Sequence, residues 1–153
     1  GVLLDKKQQH DDALEALDEA IKIEPKKPNP RFYKGIVLGK TGKHELALNC
    51  FENVYQANPK HLDALFHKGI ELAELEKHEK AIQVFDDILE KHKGNVNVVY
   101  AKARSKAAIN EVNEAFDLLN IAIKQSKTIK LWARKEKVFE KFFDDPEFQR
   151  MVK

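Results

Sequence analysis

The chain has 153 residues, 42% hydrophobic and 34% charged, with one Cys and a formal net charge of +2. That is enough chain for a sizeable core and too polar for a membrane protein. The longest run without a charged residue, Gly94–Ala101, is eight residues, against the ~18 or more that a spanning helix requires.

A lone Cys50 cannot make an internal disulfide, and no Asn-x-Ser/Thr sequon occurs, which favours a reducing compartment and a cytoplasmic location. Ala, Leu, Glu, Lys and Arg together make up nearly half of the residues, the composition of a helical-repeat chain, so the expected fold class is all-α. Four series of residues share one period. Ala13, Ala47, Ala81 and Ala115 are 34 residues apart, as are Leu17, Phe51, Phe85 and Leu119; Gly1, Gly35, Gly69 and Ala103; and Pro25 and Pro59.

In chain order, residues 1–27 read as a partial repeat whose second helix begins near His10, and the chain is expected to start inside a repeat. Asn29-Pro30 offers an N-cap and a first-turn Pro for a helix to about Lys40. Thr41-Gly42-Lys43 breaks it, and His44 to Ala57 follows up to the Asn58-Pro59 stop. Further pairs are predicted over 62–74 with 78–92 and over 96–109 with 112–125. Small residues at Gly35 and Ala47 let two antiparallel helices approach closely, and Phe51, one turn after Ala47, fills the adjacent hole. Such a hairpin cannot bury both of its faces, so successive hairpins must stack. After Lys127 the period stops. Trp132, Val138, Phe139, Phe142 and Phe143 predict one closing helix over about 129–143, and Asp145-Pro146-Glu147 opens a short last helix.

Tyr33-Lys34-Gly35-x-x-Leu38, Gly42, Ala47, Phe51 and Asn58-Pro59, repeated in Gly69, Leu72, Ala81 and Phe85, resemble the tetratricopeptide (TPR) pattern, from residue 1 to about 127. Arg31 stands where that family usually has Trp or another large apolar residue; Leu65 and Val99 hold the equivalent places. The Gly becomes Ala103, and the closing Pro becomes Lys93 and Lys127, so the fourth repeat is the most degenerate. The resemblance implies a right-handed superhelix forming one TPR domain over 1–153: a partial repeat 1–27, repeats 28–61 and 62–95, a degenerate repeat 96–129, and a closing segment 130–153.

The resemblance also implies a concave groove lined by the first helix of each hairpin. Its candidates here are Asn29, Phe32, Tyr33, Ile36 and Lys40, then Asp63, Phe66, His67, Ile70 and Glu74, then Asn97, Tyr100 and Arg104. Phe32, Phe66 and Tyr100 recur every 34 residues and are expected to form a ladder of anchors, some of which pack between repeats. The family's carboxylate clamp for chaperone tails needs Lys, Asn and Arg, whereas the matching positions carry Phe32, Ile36, His67, Asn97 and Ala101. The expectation is therefore a non-catalytic scaffold for a protein or peptide segment with apolar anchors. The alternatives are self-association within a larger solenoid and nucleic-acid binding.

Other chemistry finds little support. His10, His44 and His78 recur every 34 residues, which spaces them roughly 10 Å apart on neighbouring hairpins, too far to share a metal; a packing or hydrogen-bonding role is expected. No phosphate loop, nucleophile elbow or cofactor motif is present. By repeat, net charges are −2, +3, −3, +2 and +2, an alternation that favours correct neighbours or selects a partner by charge. The last segment, with Lys124, Lys127, Lys130, Arg134, Lys135, Lys137 and Lys141 around Trp132, carries the nucleic-acid alternative, although pI ≈ 8.5 is low for a dedicated binder.

Overall fold

The computed structural model describes the backbone of residues 2–153 and the side chains from Lys6 onward; the Gly1 member of the small-residue series lies outside the described residues. Among the described residues ten helical segments follow one another and no strand occurs: α1 Val2–Ile23, α2 Pro28–Lys40, α3 His44–Ala57, α4 Leu62–Glu74, α5 His78–Lys91, α6 Val96–Ala108, α7 Val112–Gln125, α8 Thr128–Lys135, a 3-10 helix Lys137–Phe142, and α9 Pro146–Val152. They belong to two compact units that divide between Glu76 and Lys77.

In the first unit α2 packs against α1 and α3, and α3 against α4. Its core joins Leu38, Ala47, Cys50 and Phe51, with Leu14, Phe32 and Ile36 partly buried against them. The close approach expected at Gly35 is real: a Cβ there would lie 2.7 Å from Phe51 Cε1, so any larger residue would displace a fully buried ring. α2 begins two residues before the expected Asn29-Pro30 start, because Pro28 itself takes a first-turn position where its missing N–H costs nothing.

The three-residue turns that follow α2, α4 and α6 each carry one residue in the left-handed region at the same place in the 34-residue period: Gly42 at φ 82°, Glu76 at 62° and Asn110 at 64°. At Gly42 and Asn110 the turn is a Schellman motif. Lys43 and Glu111 donate to the carbonyls of Leu38 and Lys106 at 2.9 Å, and Gly42 and Asn110 to those of Gly39 and Ala107. The expected break near His10 is absent. Lys6-Lys7-Gln8-Gln9 are all good helix formers, α1 continues through them, and Gln8 donates to Asp12 one turn on.

In the second unit α6 packs between α5 and α7. The core runs from Val99, Phe116 and Leu119 through Ile129 and Phe139 to Phe142, Phe148 and Met151. The single closing helix expected over 129–143 is instead two. α8 stops at Lys135, Glu136 takes an extended conformation (φ −75°, ψ 122°), and a 3-10 helix follows. Lys135-Glu136-Lys137 contains no breaker, so tertiary packing overrides local propensity. The bend buries Phe139 and Phe142 together, with Phe142 edge-on to Phe116 at 5.1 Å, and lets Glu136 accept from Arg104 at 2.8 Å. Asp145 caps α9 as expected, accepting from Glu147 N at 2.8 Å and Phe148 N at 3.2 Å.

Candidate functional site

The groove candidates of α2 and α4 lie in the first unit. Asn29, Tyr33, Lys40, Asp63 and Glu74 are exposed, while Phe32, Ile36, Phe66, His67 and Ile70 are half-buried. Phe32 is edge-on to Phe51 at 5.6 Å and to His67 at 5.5 Å, and His67 stacks on Phe51 at 5.2 Å. These ring contacts seat Phe32 and His67 against the core with one side still open. Burial holds the His67 imidazole below the ordinary histidine range, with the nearby Asp63 carboxylate opposing.

Ile36, Lys40, His67, Ile70 and Glu74 come together around a cleft of about 310 Å³. Three further residues line it that were not among the candidates: Gly39, His44 and Glu71. Glu71 is only 6% exposed, and its carboxylate meets His44 Nδ1 at 2.6 Å. Burial raises the Glu71 pKa, and the His44 contact partly offsets this. Gly39 makes room for the carboxylate, since a Cβ there would collide with Glu71 Oε1. Glu74 stands at the rim, 4.0 Å from His44 Nε2.

His44 shows what the periodic histidines do. In the second unit His78 Nδ1 lies 3.3 Å from Ser105 Oγ, and in both pairs the partner is 27 residues further on. Glu71 and Ser105 are the buried polar side chains among the described residues, each hydrogen-bonded to the histidine of its own series. Among the described residues no group of His, Cys, Asp and Glu could hold a metal ion.

Tyr100 departs from its expected role. It is 7% exposed and packs edge-on against Trp132 at 5.6 Å and Phe139 at 6.0 Å, so the closing segment covers it and it cannot serve as an open anchor. Arg104, four residues on, places its guanidinium carbon 5.7 Å from the Tyr100 ring centre and donates to Glu136. Of the three candidates on α6, only Asn97 is fully exposed.

Three cations of the basic closing segment are engaged at helix ends, where carbonyls lack partners. Arg134 Nε donates to Val152 O at 2.6 Å and Lys130 Nζ to Lys153 O at 3.2 Å, covering the end of α9. Lys141 Nζ donates to Ala107 O at 2.6 Å and to Asn110 Oδ1 at 2.7 Å, covering the end of α6. These contacts draw three of the seven cations of the run away from the phosphate-facing role that nucleic-acid binding requires. No helix among the described residues is long and apolar enough to cross a membrane.

Paired helices repeating every 34 residues, with small residues at the helix crossings, define an all-α helical-repeat protein of the TPR class. The family model described as anaphase-promoting complex, cyclosome, subunit 3, matches residues 6–88, more than half of the chain, and the chain belongs to this family of tetratricopeptide-repeat sequences. No curated protein matches it. Similar solved structures include MamA (41-end) from Desulfovibrio magneticus RS-1, 16% identical over 96% of this chain and 82% of that one, with a TM-score of 0.78. TTC0263, a thermophilic TPR protein of Thermus thermophilus, is 18% identical over 99% and 84%, with a TM-score of 0.76. YrrB, a TPR protein with an unusual peptide-binding site, is 16% identical over 97% and 77%, with a TM-score of 0.69. At these identities the likeness is one of fold. TPR proteins generally mediate protein–protein interactions.

Proposed function

We propose that this protein is a non-catalytic scaffold that binds a segment of a partner protein along the exposed faces of α2 and α4. The observation that carries this reading is the cleft between Ile36 and Ile70, whose apolar walls and rim of exposed Lys40 and Glu74 leave a specific surface open to solvent. Its ~310 Å³ is at the lower end for ligand pockets, and suits one or two side chains of an extended or helical segment. Phe32 and Phe66, each edge-on to the His67 ring that lines the cleft, serve as anchors already partly ordered by packing, so binding orders few new rotamers on the protein side. YrrB's peptide-binding site gives a precedent within the same fold.

The test is to select peptides from a displayed library on the wild-type chain and measure their affinity for a Phe66→Ala/Ile70→Ala variant whose circular dichroism is unchanged. Loss of two central apolar anchors should weaken binding at least about tenfold. Unchanged affinity in the folded variant would overturn the groove reading. Light scattering over a concentration series separates self-association from partner binding.

A further inference from the structure

Arg31 is the largest departure from the repeat pattern, and the groove leaves it unused. The same place in α4 and α6 holds Leu65 and Val99, which are 7% and 4% exposed. A guanidinium cannot be buried there without partners, and Arg31 remains half-exposed. Among the described residues its hydrogen bond is a 3.5 Å contact from Nη1 to Pro25 O, at the outer limit of such bonds.

Beside Arg31, between α1, α2 and α3, lies an open cavity of about 250 Å³. Its apolar lining comes from Ile21, Leu38 and Leu46, and the buried Cys50 thiol also borders it. Leu46 is 56% exposed, a large aliphatic side chain in contact with water at the cavity edge. Asp18 and Lys34 line it too, but they pair with each other at 2.8 Å. The equivalent pair in the second unit, Asp86 and Lys102 at 2.6 Å, marks this contact as part of the repeat framework. Among the described residues of the lining, Arg31 is thus the one uncompensated charge. Asn53 donates its amide to Asn49 Oδ1 at 2.9 Å, which leaves the Asn49 amide N–H groups as further donors at the same cavity.

We propose that this cavity binds an aliphatic carboxylate, with its carboxylate on Arg31 and Asn49 and its hydrocarbon chain against Ile21, Leu38 and Leu46. One negative charge matches the one uncompensated positive charge, whereas a phosphate dianion would exceed it. The planar fork of Arg31 suits a carboxylate's two oxygens. At about 30 Å³ per water, the cavity equals about eight water volumes, which fits a short acyl chain. No groove candidate lines it, so the two sites stand or fall separately.

Titration of the ¹⁵N-labelled chain with hexanoate, followed at the side-chain amides of Asn49 and Asn53, tests the assignment. Hexylamine, hexanol and inorganic phosphate serve as comparison ligands. Hexanoate should give saturable shifts, and the other three none at the same concentrations. Arg31→Leu, which installs the residue present at position 65, should raise the hexanoate Kd at least about tenfold. Arg31→Lys, a point charge without the fork, should fall in between. Absence of saturation with hexanoate, equal binding of hexanol or phosphate, or an unchanged Kd in Arg31→Leu would each overturn the proposal. The four-ligand comparison on the wild-type chain decides the matter even if a variant fails to fold.

Discussion

Phe32 in α2 and Tyr100 in α6 occupy the same place in the repeat, two periods apart, yet one is half-open and the other 7% exposed. The difference lies in the element that follows each hairpin. His61 and His67, at the start and middle of α4, lie 5.0 and 5.5 Å from the Phe32 ring and leave part of it free. After α7 come Trp132 and, beyond the bend at Glu136, Phe139, which close over Tyr100. The same contrast holds one step deeper, where the periodic histidine meets a carboxylate, Glu71, in the first unit and a hydroxyl, Ser105, in the second. A repeat position thus fixes which way a side chain faces. Its neighbours decide whether it becomes core or surface.

The contrast breaks most completely at Phe139, which is 1% exposed and touches Tyr100, Phe142 and Phe148. Phe139→Ala should cost ~3–5 kcal/mol in denaturant unfolding. Trp132 fluorescence should shift to the red as the cover over Tyr100 loosens. Phe32→Ala should cost clearly less, because part of that ring is already in water.

A middle-sized effect is expected at Gly39. Gly39→Ala pushes the end of the Glu71 side chain off His44; with the ~1 kcal/mol by which Ala exceeds Gly in a helix set against this, the net destabilisation should be ~1 kcal/mol. In a Glu71→Ser background, which gives the first unit the residue type of the second, most of that loss should vanish; a double-mutant cycle by thermal unfolding measures the coupling.

The smallest effect is one of pH. The native Glu71 pKa lies above its ordinary value of 4.5, chiefly through burial, so the unfolded chain releases this proton first as pH rises. Between 4.5 and the native value the unfolded state therefore binds fewer protons, and this group's contribution to stability falls with pH. Glu71→Gln removes that slope. The variant should gain on the wild type as pH rises through this window, as seen in paired urea titrations, and a difference independent of pH would refute the assignment.

Most helix ends were legible because each is marked by chemistry that acts locally. His44–Ala57, Leu62–Glu74 and Val112–Gln125 fall where the turn residues and the Asn58-Pro59 stop put them. The bend at Glu136 was not legible, since Lys and Glu are good helix formers and only packing breaks the helix there; the unbroken α1 was missed because the 34-residue period was weighed above the helix formers of Lys6–Gln9. At the site, periodicity located the surface residues of α2 and α4 but not the cover over Tyr100, which comes from residues outside the repeat. Glu71 escaped notice because a lone Glu in a charged helix has no signature until its histidine partner is known.

The histidine pairs also bear on how the chain reaches its fold. His44–Glu71 and His78–Ser105 each close a loop of 27 residues, and Lys141–Ala107 one of 34. Loop-closure entropies for these lengths differ by only ~0.2 kcal/mol. Ties of nearly equal entropic cost, all within about one repeat length, give a low contact order and rapid folding. None has to wait for a distant one to form, so a slow phase in refolding would have to arise elsewhere, at the prolines first of all.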